Sequence, residues 1–211
     1  ASNSHLKDLK LTLNQLKNQQ FIVMDMDGNM CRILKKACNK AGLNYQVHIS
    51  QSSEDITQFV KTLCQNKDKK YRFYAMGGDG TLNQVINGCV NCENAEVGVF
   101  PLGTGNDFIR NFSADTKDYF NLIKQLFSPS IVIDTIKYNN KHCVNICNMG
   151  FDANTAVDMP KFKKIPVIGN SMAYNMSIAY NVCKKLGRYM EIYADNKLLY
   201  KGDTLMCAVS N

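Results

Sequence analysis

Phe73-Tyr74-Ala75-Met76-Gly77-Gly78-Asp79-Gly80-Thr81 is the stretch on which the reading of this fold turns. Its apolar first part reads as a buried strand, and Leu82 to Cys89 behind it is patterned as a helix. Glycines at a strand-to-helix turn let backbone approach a bulky group, and the helix N-terminus behind them favours an anion. A phosphate is the natural candidate. Asp79 then needs a metal ion, a cation or a proton beside it to offset repulsion. The plain alternative is a tight βα turn in which Asp79 caps the following helix.

Working outward, short apolar runs at Phe21–Met24, Tyr45–Ile49 and Val97–Phe100 read as further strands. Helical patterns at 30–40 (closed by Gly42), from Ser52-Ser53-Glu54-Asp55 to Gln65, and from Leu82 to Cys89 alternate with them. This βα alternation predicts a three-layer α/β domain around a parallel sheet over residues 21–130. The Val97–Phe100 strand runs into a second glycine loop, Pro101-Leu102-Gly103-Thr104-Gly105-Asn106-Asp107. Both loops leave strand C-termini, the edge along which open α/β sheets bind ligands. Leu6, Leu9, Leu13 and Leu16 predict an amphipathic helix at 5–18, so residues 1–20 form an N-terminal extension.

After Ser128-Pro129-Ser130 the pattern changes. Ile131–Tyr138, His142–Met149, Tyr189–Ala194, Lys197–Lys201 and Thr204–Val209 read as strands, with a tight turn at Tyr138-Asn139-Asn140-Lys141 and one helical stretch, Asn170–Leu186. Residues 131–211 are therefore expected to form a β-rich, sandwich-like second domain. An apolar strand ending at Ser210-Asn211 predicts a partner strand beyond it.

The chain of 211 residues is 45% hydrophobic and 20% charged, an ordinary balance for a globular protein. No apolar run reaches the length of a transmembrane helix, and the first twenty residues lack a signal-peptide pattern. A cytoplasmic protein, peripheral to membrane, is the expectation. The net charge of +7 suits an acidic or phosphorylated partner. Lys161, Lys163, Lys164, Lys184, Lys185 and Arg188 concentrate that charge late in the chain, as in proteins that visit anionic lipid. The plain reading of the adjoining helical stretch is a helix packed across the second domain's core. Nothing in the pattern points to nucleic acid, and a homodimer is compatible with it. Nine cysteines lie within apparent helices and strands and read as reduced core residues. Cys89-Val90-Asn91-Cys92 lacks the second pair or neighbouring His that a zinc site needs.

The two glycine loops, followed by Asn145-Ile146-Cys147-Asn148-Met149-Gly150-Phe151-Asp152-Ala153, resemble the landmarks of the diacylglycerol kinase catalytic-domain family, which is related to sphingosine and ceramide kinases. The resemblance covers residues 21–211. It implies ATP-dependent, Mg²⁺-assisted transfer of the γ-phosphoryl group to the hydroxyl of diacylglycerol or a related lipid. The backbone of Gly77, Gly78, Asp79, Gly80, Thr81, Leu82 and Asn83 would cradle nucleotide phosphates, with the Thr81 hydroxyl nearby. Thr104, between Gly103 and Gly105, would complete the pocket, and Asn106 and Asp107 would organise loop, water and Mg²⁺. Ser50 matches a position where the family carries a nucleotide-contacting Thr. Asp79 is the carboxylate expected to act at the phosphates, as organiser of metal or nucleotide more than as general base.

The chain departs from the family at three places. An Asn-Pro-x-x-Gly loop is replaced by Met24-Asp25-Met26-Asp27-Gly28. A Glu after the first glycine loop is Gln84. The catalytic carboxylate and structural-metal ligands have no counterpart before Asn211. The alternative reading is thus a catalytically impaired homologue that binds nucleotide or lipid. A NAD kinase shares the Gly-Gly-Asp-Gly turn but not the second loop. A dinucleotide-dependent oxidoreductase would need G-x-G-x-x-G after the first strand, which is missing.

Overall fold

A computed structural model describes residues 19–25 (as backbone), 35, 38–39, 42–112, 116–166, 169–184 and 186–211. The expected helix at 5–18, most of that at 30–40 and residues 26–28 of the first loop lie outside these residues. The chain divides into two units, 1–144 and 145–211.

The first unit is built on four parallel strands: β1 (Gln19–Asp25), β2 (Tyr45–Ile49), β3 (Lys70–Gly77) and β4 (Ala95–Pro101). Their order is β2-β1-β3-β4. Helices α1 (Ser53–Cys64) and α2 (Asp79–Cys89) fill the β2–β3 and β3–β4 crossovers; α3 (Asp107–Arg110) and α4 (Leu122–Phe127) follow β4. The central strand β3 shows why both faces are covered. Tyr71, Phe73 and Ala75 pack beneath Ile56, Val60 and Cys64 of α1 and Leu82, Val85 and Ile86 of α2. Tyr74 and Met76, on the opposite face, join Cys38, Leu43, Phe100 and Leu126. A parallel strand buried on both sides reads as a continuous apolar run, which is how it stood out in the sequence. The expected three-layer α/β arrangement is borne out. Burial pushes the Cys64 and Cys89 thiols up to about 12 and Cys38 to about 11.

A short hairpin, β5 (Ile136–Tyr138) and β6 (Lys141–Cys143), closes this unit. It corrects two expectations. Only Ile136–Tyr138 of the predicted Ile131–Tyr138 strand is paired, because β6 is three residues long; Val132 is 100% exposed. The division also falls at residue 144, not 130. Asn87 of α2 clasps the hairpin, donating from Nδ2 to His142 O at 2.8 Å and accepting the His142 N–H at 2.8 Å.

The second unit begins at the third landmark. It contains β7 (Ile146–Gly150), α5 (Phe151–Lys163), α6 (Asn170–Val182), β8 (Arg188–Ala194), β9 (Lys197–Thr204) and β10 (Met206–Ser210). β7 pairs antiparallel with β10, and β8 with β9 across an Asp195-Asn196 turn whose residues both have positive φ. The β-rich character is as expected. α5 is not: its buried positions, Thr155 and Asp158, are polar and give no apolar stripe to mark a helix at 151–163.

Candidate functional site

Both glycine loops leave the same sheet edge. Gly77 pairs with Pro101 at the ends of β3 and β4, and the Leu102 N–H donates to Gly77 O at 3.0 Å. The loops then touch backbone to backbone. A Cβ on Gly103 would lie 2.3 Å from Gly78 Cα, and one on Gly78 would lie 3.1 Å from Gly103 Cα. Only glycine permits that approach.

Asn106 shapes the second loop from a left-handed conformation (φ 53°), which Asn enters more readily than most residues. Its Oδ1 accepts the Gly103 N–H at 3.1 Å; its Nδ2 donates to Gly103 O at 2.6 Å and Pro101 O at 3.3 Å. Asp79 ties the loops together: Oδ1 accepts the Phe108 N–H of α3 at 3.2 Å. Asp79 thus caps the short helix of the neighbouring loop. Its own helix, α2, has Gly78 as N-cap and no side-chain cap. A helix start without a capping side chain, beside a glycine loop, presents amides suited to an anion.

Gly77, Gly78, Asp79, Gly103, Gly105 and Asn106 are half-buried; Gly80, Thr104 and Asp107 are exposed. Leu82 is buried in the α1–α2 core and its N–H donates to Gly78 O at 3.1 Å, so it offers a phosphate neither side chain nor amide. Asn83 receives Asn87 Nδ2 through its carbonyl at 2.7 Å. Thr81 is 5% exposed, and its Oγ1 turns back on Gly77, where a Cβ would fall 2.2 Å away. Its hydroxyl therefore faces the end of β3.

Ser50 follows β2 on the same edge, but β1 lies between β2 and β3. Asp55 fixes its loop by accepting the Gln51 N–H at 3.1 Å and pairing with His48 Nε2 at 3.0 Å. The Gln51 N–H, with help from His48, holds the Asp55 carboxyl below its ordinary value. The chain steps from β1 out to β2 and back across to β3, so β1 and β3 flank the topological switch point where such sheets bind ligands. Met26, Asp27 and Gly28, which follow β1 there, lie outside the described residues.

The residues fit the Mg²⁺ that the resemblance implies. A Cβ on Gly105 would lie 3.1 Å from Asp79 Oδ2 and 3.5 Å from Asp107 Oδ2, so two carboxylates flank a bare glycine. Mg²⁺ in phosphate-transfer sites takes one or two carboxylates, water and substrate phosphates. Among the described residues no group of three or more His, Cys, Asp or Glu forms a fuller cage.

Sequence reasoning missed the Gly78–Gly103 contact and the Asp79–Phe108 bond. No local signal could show either, since each joins residues more than twenty positions apart.

Touching glycine loops at the carboxyl edge of a parallel sheet define an α/β protein whose ligand edge is built of loop backbone. Residues 25–137 match the model of the diacylglycerol kinase catalytic domain, and the chain belongs to that family. It is 26% identical over 187 residues to a Staphylococcus carnosus protein named "Putative lipid kinase", covering 87% of this chain and 59% of the relative. It is 28% identical over 181 residues to a Shewanella frigidimarina protein named "Probable lipid kinase YegS-like", covering 83% and 56%. The chain thus spans less than two thirds of the curated relatives it matches. A crystal structure titled as a "putative diacylglycerol kinase" from Bacillus anthracis superposes with a TM-score of 0.63 at 20% identity, covering 92% of this chain and 66% of that one. That last likeness is one of fold.

Proposed function

We propose that this chain carries the nucleotide-binding machinery of an ATP-dependent lipid kinase that phosphorylates the hydroxyl of diacylglycerol or a related lipid. The observation that carries this reading is the backbone contact of Gly78 with Gly103, braced by Asp79 on Phe108, which merges two glycine loops into one surface. Phosphoryl transfer depends chiefly on positioning and charge neutralisation, and a rigid backbone cradle supplies the first.

In this reading the amides at the start of α2, from Gly78 to Thr81, bind the phosphates, the Leu82 N–H being taken by Gly78 O at 3.1 Å, and Thr104 and Ser50 contact the nucleotide from either side. Asn106 holds the second loop in shape. Asp79 and Asp107 would hold Mg²⁺, which when bound neutralises phosphate charge. Asp79 also keeps the two loops in register, so its removal has a structural and an electrostatic effect. The acceptor oxygen attacks the γ-phosphorus, ADP leaves, and the hydroxyl proton passes to a base.

The test is ADP release on adding diacylglycerol or, separately, NAD. Diacylglycerol-dependent release that vanishes in Gly78→Asp and Asp79→Ala supports the lipid kinase; release that persists in both sinks the phosphate-loop assignment. NAD-dependent release would reassign the acceptor. Gln84 in place of the family's Glu favours a second reading, a nucleotide-binding module without turnover. ATP binding without ADP release in the full-length protein would establish it.

A further inference from the structure

The edge of the parallel sheet opposite the glycine loops gathers three cysteines. Helix α1 ends on Cys64 and α2 on Cys89, and Cys92 follows in the turn that leads into β4. Cys64 and Cys89 are 2% and 8% exposed within the α1–α2 core, and Cys92, half-buried, packs against it. The C-x-x-C spacing makes Cys89 and Cys92 the obvious partners, but the side chains meet otherwise. Cys89 Sγ turns back along its own helix and donates to Val85 O at 3.2 Å. The thiol of Cys64 is the one in hydrogen-bonding contact with that of Cys92.

Backbone holds those two thiols together. Asn91 takes a left-handed conformation (φ 62°), and the Cys92 N–H donates to Cys89 O at 2.9 Å, which folds the chain back towards the end of α1. Asn94, 9% exposed, then bolts this turn to the segment after α1. Its Nδ2 donates to Asn66 O at 3.0 Å and Lys69 O at 3.1 Å, and its carbonyl accepts the Tyr71 N–H at 2.8 Å. A disulfide forms only where two cysteines already lie close, so a contact fixed in this way favours one. Among the described residues no group of three His, Cys, Asp or Glu is placed to hold a metal ion, which leaves the pair thiol chemistry. Burial, and then the neighbouring Cys92, pushes the Cys64 thiol up to about 12, and burial pushes Cys89 as high. Both stay protonated and out of reach, so of the three an oxidant meets Cys92 first.

We propose that Cys64 and Cys92 form a reversible oxidation site, closed to a disulfide by a peroxide. The Cys92 sulfur attacks one peroxide oxygen; the O–O bond breaks, and hydroxide leaves with the thiol proton as water, giving a sulfenic acid. The Cys64 sulfur then attacks the Cys92 sulfur; the S–O bond breaks, and the hydroxyl leaves with the Cys64 proton as a second water. Two electrons pass from the sulfurs to the peroxide. The bond ties together the two ends of the stretch that holds β3, the first glycine loop and α2, and so restrains the unfolded chain. It stands apart from the kinase reading, because the pair lies at the opposite end of β3 and α2 from the glycine loops.

The experiment is peptide mapping by mass spectrometry of the full-length protein, its free thiols blocked by alkylation, before and after hydrogen peroxide. Thermal unfolding with and without dithiothreitol runs beside it. The expected product is a Cys64–Cys92 cross-linked peptide that dithiothreitol returns to two free thiols. The oxidised form is expected to melt about 5–10 °C above the reduced one. Cys92→Ser removes both the cross-link and the rise, whereas Cys89→Ser keeps both. Cys92 is half-buried, so the serine is tolerated, and the melting curve of the reduced variant checks this. The mapping of the wild type needs no variant. A Cys89–Cys92 cross-link overturns the proposal, as does Cys92 carried to sulfinic acid while Cys64 still alkylates. Two free thiols after peroxide, or a melting rise that persists in Cys92→Ser, does the same.

Discussion

At the scale of residues, the account rests on a few backbone approaches that admit no side chain. A methyl group on Gly103 would meet Gly78 backbone at 2.3 Å, and backbone cannot swing away as a side-chain tip can. Gly103→Ala should therefore cost about 1–3 kcal/mol in overpacking and lower ATP affinity at least roughly tenfold. Calorimetric titration and thermal unfolding measure the two effects. Asp79→Asn should behave differently from Asp79→Ala. The amide keeps an oxygen for the Phe108 N–H, so it retains the loop pairing and loses mainly the dependence on Mg²⁺; alanine loses both. Equal nucleotide affinity for the two would count against the bracing role. The glycines, Asn106 and Asp107 were visible in the sequence because turn chemistry is local. What Asp79 bonds to was not, because its partner belongs to another loop.

At the scale of elements, legibility followed burial pattern. β3 announced itself because both of its faces are buried and apolar. The β8–β9 hairpin did so through two strand patterns, Tyr189–Ala194 and Lys197–Lys201, only two residues apart, and α1 through Ser52, whose Oγ accepts the Asp55 N–H at 3.4 Å. Strand order was not legible, since the same βα alternation threads several parallel sheets. Helix α5 stayed hidden because its inner face is Thr155 and Asp158. That inner face has a measurable signature. Lys161 first, then Lys184 and Asn181, hold the Asp158 carboxyl well below the usual carboxylate range. A carboxylate depressed in the folded state contributes stability that is complete above its unfolded value, about 3.9, and is lost progressively as pH falls from there through the lower folded value. Wild-type melting temperature should therefore drop between pH 5 and 3 by more than that of Asp158→Asn, which starts lower at pH 7. Parallel melting curves for the two would show that the Lys161–Asp158–Lys184 cluster does not stabilise the α5–α6 pair.

At the scale of the whole molecule, the sequence landmarks are divided between the two units. The parallel-sheet unit carries both glycine loops, and the unit from Asn145 onward carries the third landmark and the α5–α6 pair. The boundary falls fourteen residues beyond the expected 130 because the β5–β6 hairpin has the pattern of a β-rich domain, yet Asn87 fastens it to α2. The net charge of +7 pointed to an anionic partner without saying which unit meets it. The central claim is that the two loops form one phosphate-binding surface, and an ATP titration followed by the backbone amide signals of 77–83 and 103–107 tests it most directly. The account predicts that both sets shift together, with a single dissociation constant, and that Gly103→Ala weakens both alike. Shifts confined to one loop, or none in either, would contradict it.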